Sequence, residues 1–149
     1  MAEFEFVRGA EQGLEGAIIM NFELIAASGV YDLTETDLDN QDVAGVLEST
    51  GTTPQVGKGA DGDPIVGLLL NISEGGKFGT FIVRGPAPEC RYSTAGSDDP
   101  DVGDRVVSKG TGKVKQSVEN ATTPAGGRDV GVGHVYYKDS TATTVKLIL

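Results

Sequence analysis

Ile65-Val66-Gly67-Leu68-Leu69-Leu70-Asn71-Ile72, then Glu74-Gly75-Gly76-Lys77, then Phe78-Gly79-Thr80-Phe81-Ile82-Val83-Arg84, is the stretch that decides the fold class. The first run is nearly continuous in apolar residues, as expected of a strand covered on both faces. Glu74 to Lys77 makes the reversal. The returning run places Phe81 and Val83 on one face and Phe78, Thr80 and Ile82 on the other, the period of a strand. A shift of 66 residues lays Val66-Gly67 on Val132-Gly133 and Phe81-Ile82-Val83 on Leu147-Ile148-Leu149, so a second hairpin ends the chain. Val56-Gly57-Lys58-Gly59 also resembles Val107-Ser108-Lys109-Gly110. Two readings stay open: a duplicated unit, with copies at 55–85 and 106–149, or chance reuse of Val, Lys and Gly by a small β protein.

Outward from these hairpins, composition points the same way. Gly contributes 22 of 149 residues, and Val and Thr recur, which suits short strands and tight turns better than packed helices. The expected class is all-β: a small antiparallel barrel or sandwich built from hairpins, with an extended N-terminal arm. The arm is placed at 1–22 and a single β domain at 23–149, a length able to bury a substantial core. One cysteine, Cys90, excludes an internal disulfide framework and a multi-cysteine zinc cage. With 22 acidic and 12 basic residues the formal charge is −10, so the surface repels phosphate backbones, and nucleic acid is not an expected partner. The start, Met1-Ala2-Glu3-Phe4-Glu5-Phe6, lacks the basic and apolar regions of a signal peptide, and no apolar stretch is long enough to span a bilayer; a cytoplasmic product with no membrane partner is expected.

Glu3 to Phe6 alternates acid and aromatic before Val7 and Arg8, and Gly9, Gly13 and Gly16 then interrupt it. It reads either as an arm that docks elsewhere or as an ordinary first strand. Ala17 to Ala27 reads as a strand. The acidic segment 31–50 puts Asp37, Asp39, Gln41 and Glu48 at calcium-loop spacing, but Asp42 stands where the turn needs Gly, so a solvated loop with one short helical turn before Val46 is the better reading. Asp61-Gly62 marks a turn and Pro64 a strand start. The terminal strand, with Val145, Leu147 and Leu149 on one face, is expected inside the sheet.

Few residues are candidates for chemistry. His134 is the one histidine, and its period-two neighbours Val132 and Tyr136 put it on a regular strand, as a structural residue. Ser108 and Ser117 sit near turns without a nucleophile elbow. Gly57 to Gly62 and Gly110 to Lys113 lack the spacing of a phosphate loop and read as turns. Cys90 reads as a small buried apolar residue. No catalytic, cofactor-binding or metal-binding residue is assigned.

Lys58-Gly59-Ala60-Asp61-Gly62-Asp63-Pro64-Ile65-Val66-Gly67-Leu68-Leu69, followed in order by Gly85, Val102-Gly103-Asp104-Arg105-Val106, Thr111-Gly112-Lys113-Val114, Val132-Gly133 and Thr144-Val145-Lys146-Leu147-Ile148-Leu149, resembles the capsid decoration or cement proteins of tailed bacteriophages. Residues 1–54 depart from the pattern. The resemblance implies a small β protein on the outer surface of the virion head, made in the host cytoplasm. Such a protein is not an enzyme, takes no cofactor, and has as partners the major capsid protein and itself, as a homotrimer. The resemblance transfers no binding residue; from the arm's own apolar side chains, Phe4, Phe6 and Val7 are the expected capsid contacts. The alternative is a tail, fibre or cell-surface β module binding a carbohydrate or protein, against which stand the absence of Trp and the presence of only four Tyr.

Overall fold

A computed structural model describes residues 16–48, 53–117 and 131–149. The first half of the chain supplies β1 (Ile18–Leu24), a small hairpin of β2 (Ala26–Ala27) and β3 (Val30–Tyr31), α1 (Glu35–Asp39), β4 (Ala44–Glu48), β5 (Gln55–Gly57), β6 (Gly67–Ile72) and β7 (Phe78–Arg84). Five of these strands close a barrel in the order β1-β5-β4-β6-β7. β1 runs parallel to β5, and every other neighbour is antiparallel. The all-β expectation therefore holds. The single turn of α1 forms because Thr34 caps it and Asp37 reaches back to the Thr34 amide, satisfying two otherwise orphan donors.

The second half supplies β8 (Cys90–Arg91), β9 (Val106–Ser108), β10 (Val114–Gln116), β11 (His134–Asp139) and β12 (Thr144–Ile148). Pairs β8–β12, β11–β12 and β9–β10 are antiparallel. Two bridges complete the circuit: Tyr92 to Val114, parallel, and Val106 to Val132, antiparallel. The ring order is thus β8-β10-β9-β11-β12, the order of the first barrel with its one parallel contact in the same place.

Register matches as well as order. In β6–β7, Leu68 faces Ile82 and Leu69 faces Phe81; the register then slips, and Asn71 faces Thr80. In β11–β12, His134 faces Ile148 and Val135 faces Leu147; the register slips at the same place, and Tyr137 faces Lys146. The loop bonds repeat too. Leu69 N donates to Val43 O, and Val135 N to Asp104 O, both at 2.9 Å. Val66 N donates to Gly45 O at 2.8 Å and Val132 N to Val106 O at 2.9 Å; Leu24 N to Lys77 O at 2.8 Å and Tyr92 N to Thr143 O at 3.0 Å. The two units run from residue 17 to 84 and from 85 to 149, wider than 55–85 and 106–149. The likeness of Val56-Gly57-Lys58-Gly59 to Val107-Ser108-Lys109-Gly110 is not positional: Val56 lies on β5, whose counterpart is β10, whereas Val107 lies on β9, the counterpart of β4. An arm extending to residue 22 is also corrected, because residues 18–22 pair with β7 as a barrel strand.

Buried residues from both rings form one hydrophobic cluster. In the first ring Phe81 fills the interior and Phe22 meets it edge-on at 5.8 Å. Gly45 and Gly79 make room: a Cβ on Gly45 would lie 2.7 Å from the Phe81 ring and from Val56, and one on Gly79 would lie 2.9 Å from Phe81 and Leu69. The counterparts in the second ring are Leu147, Val106 and Val145, all fully buried. At the end of the described chain Leu149 exchanges backbone bonds with Gly85, so the last strand lies within the sheet as expected.

Candidate interaction surface

The barrels meet at an asymmetric joint. From the first barrel, Gln41 O accepts from Arg91 N at 2.9 Å, Ala44 N donates to Gly112 O at 2.9 Å, and the Gln41 amide donates to Glu89 at 3.4 Å. Gly62 N donates to Ser108 O, and the buried Ser108 hydroxyl donates to Lys58 O at 3.0 Å. Lys109 bridges Asp98 at 2.7 Å and Asp61 at 3.6 Å, while Lys115 holds Asp61 at 2.5 Å. The bond from Lys115 holds the Asp61 carboxyl below its ordinary range, and the bond from Lys109 does the same for Asp98. Burial pushes the Asp42 carboxyl up despite Arg91 at 3.5 Å, and its Oδ1 has no hydrogen-bond partner. Cys90 is fully buried at this joint, and burial pushes its thiol up to about 12, consistent with an inert packing role.

Beside the joint a groove of about 660 Å³ opens between the barrels. Its walls include Val66 and Arg84 from the first barrel and Arg105, His134, Ile148 and Leu149 from the second. Arg84, Arg105, His134 and Ile148 are exposed. His134 therefore stands exposed in a cleft at the start of β11, a strand as its spacing predicts but one whose register slips between Val135 and Tyr137. The described residues lining that cleft include no hydroxyl, thiol or side-chain carboxylate to act beside the imidazole. What they offer is a cationic rim over apolar walls, an arrangement suited to holding a partner's surface.

The calcium-like spacing of the acidic segment does not converge in three dimensions: Asp37 caps α1 and pairs with Lys58 at 3.0 Å, Gln41 turns to Glu89, and Glu48 ends β4. Among the described residues no three His, Cys, Asp or Glu side chains converge to hold a metal ion. Phe4, Phe6 and Val7 lie outside the described residues. Further along the chain, Ile18, Ile19 and Met20 are three consecutive exposed apolar residues on β1. Sequence reading missed these, because an apolar run on a strand is ordinarily core. Val102, 63% exposed within the polar turn Asp101-Val102-Gly103-Asp104, carried a visible signal: an apolar side chain amid turn residues with nothing local to cover it.

No helix among the described residues is long and apolar enough to cross a membrane. Comparison of the chain with protein-family models, with curated proteins and with solved structures finds no match.

Proposed function

We propose that the chain is a structural, non-enzymatic protein that decorates the outer surface of a tailed-phage head and stabilises its lattice of major capsid proteins. The observation that carries this reading is the consecutive exposure of Ile18, Ile19 and Met20 where the chain joins the first barrel, shortly after the alternating Glu3-Phe4-Glu5-Phe6-Val7 segment. Contiguous apolar side chains in water mark binding surfaces. The order of turns and strands that resembles the decoration family supports the same reading. Phe4, Phe6 and Val7 serve as the apolar anchor, and a negative charge of 10 keeps the protein soluble before assembly. A subunit bridging two capsid proteins gains from the high effective concentration of its second contact, so modest affinities suffice.

The test is binding of the purified full chain to expanded heads that lack a decoration protein, read by co-sedimentation and by imaging. Saturable binding at repeated lattice positions is expected, and no binding to any head sinks the reading. Deleting residues 2–12 is expected to weaken retention while leaving the circular dichroism spectrum unchanged. A second reading, a carbohydrate-binding tail or fibre module, is favoured by one feature: Tyr136 and Tyr137 are exposed side by side on β11, with the Lys146 ammonium 5.1 Å from the Tyr137 ring. A glycan array separates the two.

A further inference from the structure

Residues 16–18 stand beside the groove. Ala17 packs so closely on Gly85 that a Cβ there would lie 2.9 Å from the Ala17 Cα, and Ile18 faces Arg84 in the register of β1 and β7. Arg84 lines the groove, and Gly85 exchanges backbone bonds with Leu149, which lines it too. Gly16 has a φ of +74°, a left-handed turn at this wall. Fifteen residues precede Gly16 in the sequence, so that segment joins the first barrel next to the cleft.

The groove and the segment carry complementary chemistry. Val66, Val83, Val132 and Leu149 give the cleft half-buried apolar walls, and Ile148 lies 48% exposed along it. Lys58, Arg91, Lys109, Lys115 and Lys138 each hold a carboxylate among the described residues, whereas the exposed Arg84 holds none of them. Upstream, Glu3-Phe4-Glu5-Phe6 alternates, so in an extended chain Phe4 and Phe6 share one side and Glu3 and Glu5 the other. Rings suit the walls, and carboxylates suit the guanidinium. The volume of about 660 Å³ is that of a cleft able to take a few side chains. Nine residues, Arg8 to Gly16, separate Val7 from Ala17. They reach up to about 30 Å, enough to fold back onto the groove.

We propose that residues 3–7 dock in the groove of their own chain, Phe4 and Phe6 against its apolar walls and the Glu3 and Glu5 carboxylates toward Arg84. The tether holds the segment at roughly millimolar effective concentration beside the cleft, so a weak fit suffices. Docking takes two aromatic rings out of water. It does not depend on the capsid reading, since it needs only purified protein. One consequence does rest on that reading: the rings that anchor the protein to a head are first held by its own groove, and binding to a head includes their release.

The chain has no Trp, so Phe6→Trp, or Phe4→Trp as a second protein, places a single reporter in the full-length molecule. Its emission is expected to be blue-shifted, and its quenching by acrylamide reduced, relative to a peptide of residues 1–15 carrying the same substitution. Both differences are expected to be the same at every protein concentration. Adding Arg84→Glu or Ile148→Glu, each at an exposed position, is expected to return both readings to those of the peptide with an unchanged circular dichroism spectrum. Either of these variants that folds is sufficient. Peptide-like emission from both reporters overturns the proposal, as does a shift that survives the groove substitutions. A shift that grows with protein concentration also overturns it, because the segment then docks on another copy.

Discussion

The first barrel is built around one large ring and two missing side chains; the second, with the same strand order and register, is built around a leucine and two valines. Phe81, Gly45 and Gly79 occupy the places of Leu147, Val106 and Val145. The difference teaches that the ring specifies a total interior volume and leaves its distribution free. Protein interiors are packed as densely as organic crystals, so volume removed at one position has to reappear nearby. Backbone hydrogen bonds set the frame, and side chains of either division fill it.

The largest expected effect breaks the comparison from the side of the aromatic. Phe81→Ala is expected to destabilise the protein by about 3–5 kcal/mol, because the surrounding glycines have no side chains with which to collapse into the cavity. Leu147→Ala, with Val106 and Val145 as neighbours, is expected to cost less within the range of about 2–5 kcal/mol for such truncations. Urea unfolding of both variants measures the pair, and a greater loss at Leu147 contradicts the account.

A transplant sharpens it. Gly45→Val and Gly79→Val, each alone, are expected to overpack against Phe81 and to destabilise by about 1–3 kcal/mol. With Phe81→Leu added, the first ring acquires the second ring's interior, and the triple variant is expected to be more stable than the sum of the three single changes predicts. Contacting residues couple by about 0.5–3 kcal/mol, so a strictly additive result rejects volume exchange as the relation between the rings.

The smallest effect concerns the joint that holds the rings together. Asp61 and Asp98 have carboxyls held low by bonds from Lys115 and Lys109. Their contribution is therefore fully present above the ordinary carboxylate pKa and is lost as pH falls through their lowered values. Asp42, pushed up by burial, has the opposite sign: its contribution is present in acid and is lost as pH rises through its raised value. Melting temperature followed from neutral pH into acid is expected to fall less steeply in Asp61→Asn plus Asp98→Asn, and more steeply in Asp42→Asn. Parallel curves for all three proteins remove these groups from the acid response.

Sequence periodicity made the fold class and both late hairpins legible, since Leu69, Phe81, Val135 and Leu147 keep the strand period and the same spacing in each copy. The front of each copy was hidden by the volume exchange itself. Phe22 becomes Cys90, Leu24 becomes Tyr92 and Gly45 becomes Val106, so identity is lost where function in the ring is kept. The first copy also inserts a hairpin and α1 between its first two ring strands, where the second has the plain loop 93–105. The match at Val56 misled because Val, Lys and Gly recur at strand ends of any origin. The groove was illegible for a different reason: Val66 and Arg84 of the first barrel meet Arg105, His134 and Ile148 of the second only where the two barrels pack together, and no local spacing announces them.

Ring closure also governs how the molecule behaves in a crowd. A sheet with loose margins offers its unsatisfied amides and carbonyls to any passing strand, whatever that strand's sequence. In each of these rings the strands turn those groups toward one another. What each frame leaves outward is individual side chains, such as the exposed Ile148 and Leu47, which single substitutions can change without disturbing the frame.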